Sequence, residues 1–187
     1  VGVNGAFAAV NSADEVGSPG YAAPGEIRIT EVAPWSSGNS PVGADWFEVT
    51  NLGARAVNIQ GWKMDDSSES PAGAVALFGV SSIGPGESVI FLESETPAST
   101  VAAFLSNWFG ASPPSGLQVV TYSGAGVGLS TGGDAVNLFD TNDTRRAKVF
   151  FGTSPVAAPF GTFENAAGAD NVALTQFSTA GANGAFV

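Results

Sequence analysis

The chain has 187 residues and a formal net charge of −11, with 17 acidic side chains against six lysines and arginines, and it contains no histidine and no cysteine. Such a negative chain repels phosphate backbones and anionic lipids, which disfavours nucleic-acid and membrane-surface binding. Without histidine and cysteine, Ser-His and Cys-His nucleophile systems, a histidine general base and almost every zinc site are excluded.

The composition favours a loop-rich β protein of one large domain. Apolar residues make up 44% of the chain, which includes 13 phenylalanines, and 25 glycines and 11 prolines supply many turns. No stretch approaches the roughly 20 apolar residues of a membrane span, so we expect no membrane insertion.

In chain order, residues 1–24 are predicted to form an extended arm and linker, because Gly and Pro recur too often for a continuous element. Residues 25–187 are assigned to one domain. Short apolar runs separated by turn residues begin here and predict about nine strands. The runs are 26–32, 45–51, 57–64, 74–80, 88–92, 117–122, 135–140, 147–151 and 172–177. This spacing indicates an all-β sandwich or barrel.

The run at 45–51 shows strand alternation. Phe47 and Val49 fall on one face, and Trp46, Glu48 and Thr50 fall on the other. We expect the second face to be exposed to solvent or to carry a partner.

One segment has helical spacing. Residues 97–109 are predicted to form a single short helix across one end of the sandwich, with Thr96 as its cap and Gly110 as its stop. Its apolar stripe, which includes Phe104 and Trp108, is interpreted as core and not as a ligand site.

The two ends of the chain repeat each other. Residues 180–187 match residues 1–8 at five positions, with Asn4 corresponding to Asn183. Matching ends predict a joint between copies, either in a covalent tandem array or between separate chains. The alternative is a chance match, because a chain with 25 glycines and 44% apolar residues matches itself weakly in many places. The predicted partner interface consists of Val1, Val3, Asn4, Gly5, Phe7, Asn183, Gly184 and Phe186.

Five segments in order carry a family resemblance: IRITEV (27–32), DWFEVTN (45–51), VNIQGWKMDD (57–66), IGPGESVI (83–90) and GDAVNLFD (133–140). Over about residues 26–152 the chain resembles the bacterial lamin tail domain. The resemblance implies an immunoglobulin-like β-sandwich that brings no chemistry of its own. Similar modules accompany secreted phytase-like and esterase-like proteins, nucleases and cell-surface proteins as binding or spacing units.

The remaining chemistry is limited to oxygen ligands and carboxyl pairs. Glu31 and Glu48 lie on predicted strands and are able to converge, although an acid pair in so acidic a chain is more often solvated or bonded to a turn backbone. Two acidic loops offer oxygen atoms to Ca²⁺, although neither has EF-hand spacing and turn formation is the alternative. These loops carry Asp65, Asp66 and Glu69, and Asp140, Asn142 and Asp143. No other cofactor is expected.

We therefore interpret the chain as a non-catalytic extracellular structural or adhesive module of a bacterium, which assembles head to tail with other copies of itself. The alternative is an accessory domain of a secreted phytase-like or nuclease-type hydrolase, in which Trp35, Trp46 or Trp62 grips carbohydrate or a surface partner. A hydrolase using Asp, Glu and Ca²⁺ is a third and weaker hypothesis.

Overall fold

The computed structural model describes residues 26–36, 38, 40, 42–155 and 160–178. Within these ranges two five-stranded sheets and a two-stranded ribbon surround the main apolar core. The elements are β1 (Ile27–Ala33), β2 (Trp46–Asn51), β3 (Val57–Asn58), β4 (Lys63–Asp65), β5 (Val75–Ala76), β6 (Ser82–Ile83), β7 (Ser88–Glu93), α1 (Pro97–Phe109), β8 (Gln118–Tyr122), β9 (Asp134–Phe139), β10 (Arg145–Phe151), β11 (Phe163–Glu164) and β12 (Val172–Leu174).

The first sheet has the order β11-β1-β2-β7-β8 and the second has the order β12-β10-β9-β4-β5, while β3 and β6 pair with each other. Most neighbours are antiparallel, but β7 runs parallel to β8 and β10 runs parallel to β12. Side chains from both sheets fill the main core, where the rings of Phe47 and Phe91 stack with their centroids 5.3 Å apart. Strand alternation explains this core, because every second residue of β2 and β7 points inward. The predicted all-β sandwich is confirmed.

Each of the nine predicted runs contains a strand. The run at 57–64 is interrupted at Gly61, whose φ of 78° places it in the left-handed region and lets the chain turn between β3 and β4. Two short strands, β6 and β11, were not predicted. Both have only two residues, which is too short for an alternation pattern.

The helix is confirmed over Pro97–Phe109. It connects two parallel neighbours, β7 and β8, and such a pair requires a long crossover connection. The predicted cap is corrected in one respect, because the Thr96 side chain makes no cap hydrogen bond. Instead, Ser94 Oγ accepts the Thr96 N–H at 2.9 Å. Among the described residues, no helix is long and apolar enough to span a membrane.

The outer face of β2, which we expected to be exposed or to carry a partner, is buried. Helix α1 covers this face at the end of the sheet where Trp46 lies between Ala33 and Leu92. The helix and this part of the sheet together form a second apolar core. The rings of Trp46 and Phe104 meet edge to face at 5.4 Å. The helix therefore packs on the outer face of the first sheet, near one end, and does not cross the end of the sandwich.

Candidate functional site

The predicted partner interface lies outside the described residues. All eight of its members fall in residues 1–25 or 179–187. The three tryptophans of the alternative hypothesis are described, and Trp35, Trp46 and Trp62 are all buried. They belong to the two cores and present no aromatic surface to a carbohydrate.

The structure brings Glu31 and Glu48 together and buries them, whereas the sequence favoured a solvated or turn-bonded pair. They are cross-strand partners on β1 and β2, and each is only 2% exposed. Glu48 Oε1 accepts a hydrogen bond from Thr30 Oγ1 at 2.5 Å and one from Thr50 Oγ1 at 3.3 Å. The Glu48 Oε2 atom is buried and has no hydrogen-bond partner in the described part of the chain. The pair therefore lies on the outer face of the first sheet, bound by hydroxyls and sealed from water.

Burial dominates the ionisation of this pair. It raises the pKa of Glu48 to about 8, against the opposing effect of the surrounding hydroxyls, and it raises the pKa of Glu31 well above its ordinary value. The charge of Glu48 raises the pKa of Glu31 further. Glu48 is therefore mainly protonated at neutral pH, and burial disfavours the charged form of Glu31 as well. A pair without access to solvent stabilises or positions its surroundings and does not reach a substrate.

Glu31 attaches the last described segment to the first sheet. Its Oε1 accepts hydrogen bonds from Thr162 Oγ1 and, at 3.2 Å, from Ser178 Oγ. The backbone of residues 176–178 pairs with β11, since the Glu164 N–H donates to Gln176 O and the Ser178 N–H donates to Thr162 O, both at 2.9 Å. Residues 176–178 therefore pair with β11 on the side away from β1 and extend the first sheet at that edge.

The first predicted calcium loop is a self-satisfied turn. Asp65 Oδ2 accepts from Ser68 Oγ at 2.8 Å and from the Ser70 N–H at 2.7 Å, while Asp66 Oδ1 accepts the Ser68 N–H at 2.8 Å. Glu69 forms ion pairs with Arg145 and Lys148. The Lys148 hydrogen bond is the main reason that the pKa of Glu69 is lowered. These carboxylates already have donors and do not converge on one point.

The second predicted calcium loop behaves in the same way. Asp140 Oδ1 accepts the N–H groups of Asn142 and Thr144, and its Oδ2 pairs with Arg146 at 2.6 Å. Burial opposes ionisation here, but these donors prevail and lower the pKa of Asp140. Asp143 pairs with Lys63 at 2.6 Å. Over the described ranges no group of three or more acidic residues is arranged to hold a metal ion.

Sequence reasoning missed a further pair of carboxyl groups, Asp45 and Glu93, at the C-terminal end of β7. Asp45 is fully buried, and its carboxylate accepts the N–H groups of Ser36 at 2.8 Å and Leu129 at 2.7 Å. Glu93 follows Leu92, the partner of Trp46, and its N–H donates to Asp45 O at 2.8 Å. The positions of the two acids could have revealed the pair. Asp45 begins the run 45–51 and Glu93 follows the run 88–92, so antiparallel pairing of the two runs places these acids opposite each other.

Comparison with known proteins agrees with this architecture. A search of curated proteins finds no match. The profile of the Lamin Tail Domain family matches residues 21–153, which is most of the chain and includes β1 to β10. The five segments that suggested the resemblance hold β1, β2, β3 with β4, the end of β6 with the start of β7, and β9. The chain therefore belongs to the Lamin Tail Domain family.

Proposed function

We propose that this lamin tail domain is a non-catalytic structural module of a secreted or cell-surface bacterial protein, joined head to tail with further copies of itself. Family membership supports the coarser part of this statement, an immunoglobulin-like structural or binding module. The joint would be made by the N-terminal arm, residues 1–24, and the C-terminal strand with the echo at 180–187.

The observation that carries the proposal is where the chain enters and leaves the first sheet. It enters β1 at Ile27, which pairs with Asn51, and β1 ends at Ala33, which pairs with Trp46. Six residue steps of a strand separate these two ends by roughly 20 Å. At the exit, Ser178 bonds to Thr162, next to the Ala33 end of β1. Entry and exit thus lie at opposite ends of one sheet, which is the placement that a linear array requires.

The exit segment also offers a pairing edge. Residues 176–178 pair with β11 on one side, and strand alternation directs the N–H and C=O of Phe177 to the other side. Within the described ranges no backbone hydrogen bond engages these two groups. Such an edge is a template for a strand from another chain, and the extended arm of a neighbour is a suitable occupant. Contacts of this head-to-tail kind do not close into a ring unless the rotation between copies allows it, so they favour filaments.

No described feature favours the alternative, an accessory carbohydrate-binding domain of a hydrolase. That hypothesis depended on exposed tryptophans, whereas Trp35, Trp46 and Trp62 are buried. Secretion stays part of the proposal and is supported by the composition, which is poor in lysine and rich in small and hydroxylated residues.

The test uses two truncations of the chain, one lacking residues 1–24 and one lacking residues 179–187. For separate chains, we expect the full chain to form filaments in electron microscopy, each truncation alone to sediment as a monomer, and an equimolar mixture of the two to form dimers. For a covalent array, the native polypeptide will be far heavier than 18.7 kDa and will contain repeated copies. Circular dichroism shows whether each truncation keeps its β-sandwich. A native product of this mass that stays a solitary particle at high concentration would overturn the proposal.

A further inference from the structure

A cavity of about 460 Å³ opens where β7 leads into helix α1, beside the carboxyl groups of Asp45 and Glu93. Four hydroxyl side chains and two carboxyl side chains dominate its wall, with glycine and alanine filling the rest. The lining residues are Ser36, Gly43, Ala44, Glu93, Ser94, Glu95, Thr96, Thr100, Gly124 and Ala125. Its volume lies in the range of small-ligand pockets, roughly 300–1,000 Å³.

Glu93 is the central group of this cavity. Its Oε2 atom is buried, and in the described part of the molecule it finds no hydrogen-bond donor. The backbone makes room for this carboxyl group, because a Cβ atom at Gly124 would overlap it. Burial, and then the neighbouring Asp45 carboxylate, raise the pKa of Glu93 to about 7. Glu93 is therefore about half protonated at neutral pH.

A second buried polar group faces the same acids. Tyr122 is the cross-strand partner of Glu93 and is 1% exposed, and its hydroxyl has no hydrogen-bond partner within the described ranges. Burial raises the pKa of Tyr122 well above its ordinary value, and the charges of Asp45 and Glu93 raise it further. The phenol therefore stays neutral; it lies close to both carboxyl groups but within the main apolar core, behind the cavity wall.

No lysine or arginine side chain of the described residues reaches this cavity. The six lysines and arginines of the chain are all described, and none lines the wall. Lys63, Arg145, Arg146 and Lys148 form ion pairs with acids at the β4–β5 and β9–β10 turns, and Arg28 bonds to Gly168 O at 2.7 Å. A buried carboxylate without a counter-charge is costly, and a cationic ligand would relieve that cost.

We propose that this cavity binds a primary ammonium group, carried either by a lysine side chain of another protein or by a free aliphatic amine. An ammonium group has three N–H donors and no acceptor, which matches a wall of carboxyl and hydroxyl oxygens. Glu93 and Glu95 provide the opposite charge. The hydroxyls of Ser94 and Thr100, which bond to each other at 2.6 Å, lie beside them in the wall. The proposal does not depend on head-to-tail assembly.

A bound divalent metal fits this wall less well. Ca²⁺ takes six to eight oxygen ligands at short distance, and the described acids include no group of three arranged in that way. Both Asp45 oxygens already accept backbone N–H groups. The cavity also has the volume of a side chain, whereas a single ion would fill a small part of it.

The test is isothermal titration of the full chain with N-acetyl-lysine methylamide, its Nε-acetylated derivative, 1,4-diaminobutane and CaCl₂. We expect the two amines to bind and the acetylated derivative to bind at least about tenfold more weakly, because it lacks the charge. Glu93→Gln should weaken amine binding by a similar factor. The matched control is Glu87→Gln. Glu87 precedes the first residue of β7, at the end of the strand away from the cavity, so this change should leave binding unchanged.

The pH dependence has a defined sign. The ammonium group competes with the proton held by Glu93, whose pKa is about 7, so binding should strengthen as the pH rises from 6 to 8. Asp45, Glu95 and Tyr122 are the other titratable groups nearby. Preference for the lysine derivative over diaminobutane would indicate a protein-borne lysine, and the reverse would indicate a free amine. Equal binding of the acetylated derivative, no effect of Glu93→Gln, or binding of Ca²⁺ in place of both amines would overturn the proposal.

Discussion

Replacing Glu48 by glutamine should stabilise the fold at neutral pH. Glu48 is buried beside Glu31 and has a pKa of about 8, against 4.5 for an ordinary glutamate. Between these two values the folded state holds a proton that the unfolded state releases. The unfolding free energy contributed by Glu48 is therefore greatest at or below pH 4.5, and it falls as the pH rises towards 8. Glutamine carries no titrating proton, so this loss disappears.

The expected magnitude follows from the pKa difference. Each unit corresponds to about 1.36 kcal/mol, and pH 7 lies about 2.5 units above the ordinary value, so the predicted gain is about 3 kcal/mol at pH 7. At pH 4.5 the gain should be close to zero. The glutamine Oε1 atom keeps the role of acceptor for Thr30 and Thr50, so no hydrogen bond is lost at either pH.

The assay is urea unfolding of the wild type and Glu48→Gln at pH 4.5, 6, 7 and 8, followed by tryptophan fluorescence. Thermal unfolding at pH 7 should show a rise of roughly 6–12 °C in Tm for a chain of this size. The matched control is Glu95→Gln, the same substitution at an exposed glutamate, which should change stability by less than about 0.5 kcal/mol at every pH. A Glu48→Gln effect that is independent of pH, or a loss of stability at pH 7, would refute the assignment of Glu48 as a buried protonated acid.

Three further outcomes are expected. Phe104→Ala, in the second core, should lower the unfolding free energy by about 3–5 kcal/mol, whereas Phe78→Ala, at a phenylalanine that is 59% exposed, should have little effect; chemical denaturation compares them, and equal losses would contradict the two-core description. Asp140→Ala should cost about 2 kcal/mol because it removes a buried acceptor of two backbone N–H groups and the Arg146 pair, while Asp143→Ala, in an exposed pair with Lys63, should cost less than about 1 kcal/mol. Calcium at millimolar concentration, or its removal by a chelator, should leave Tm unchanged because the described loop carboxylates already have donors, and a rise of several degrees with calcium would contradict this.

The carboxyl groups show where sequence reasoning was sufficient and where it was not. Strand periodicity put Glu31 and Glu48 on elements able to converge, and the register confirmed their contact. Periodicity did not show whether the outer face of β2 is exposed or buried. The same alternation occurs in a strand that faces water and in a strand covered by another layer. The Asp45 and Glu93 pair went unnoticed because its members stand at strand ends 48 positions apart, where only the pairing of β2 and β7 makes them neighbours.

The sequence by itself determined most elements of this protein: the nine runs that hold ten of the twelve described strands, the helix at 97–109 and membership of a β-sandwich family. These depend on local periodicity, turn residues and the order of short motifs along the chain. Tertiary structure decided which faces are covered, how each acid ionises and where the chain enters and leaves the sheet. Those properties arise from contacts between residues far apart in the chain, and burial, which sets the pKa of a carboxyl group, exists only once the layers have packed.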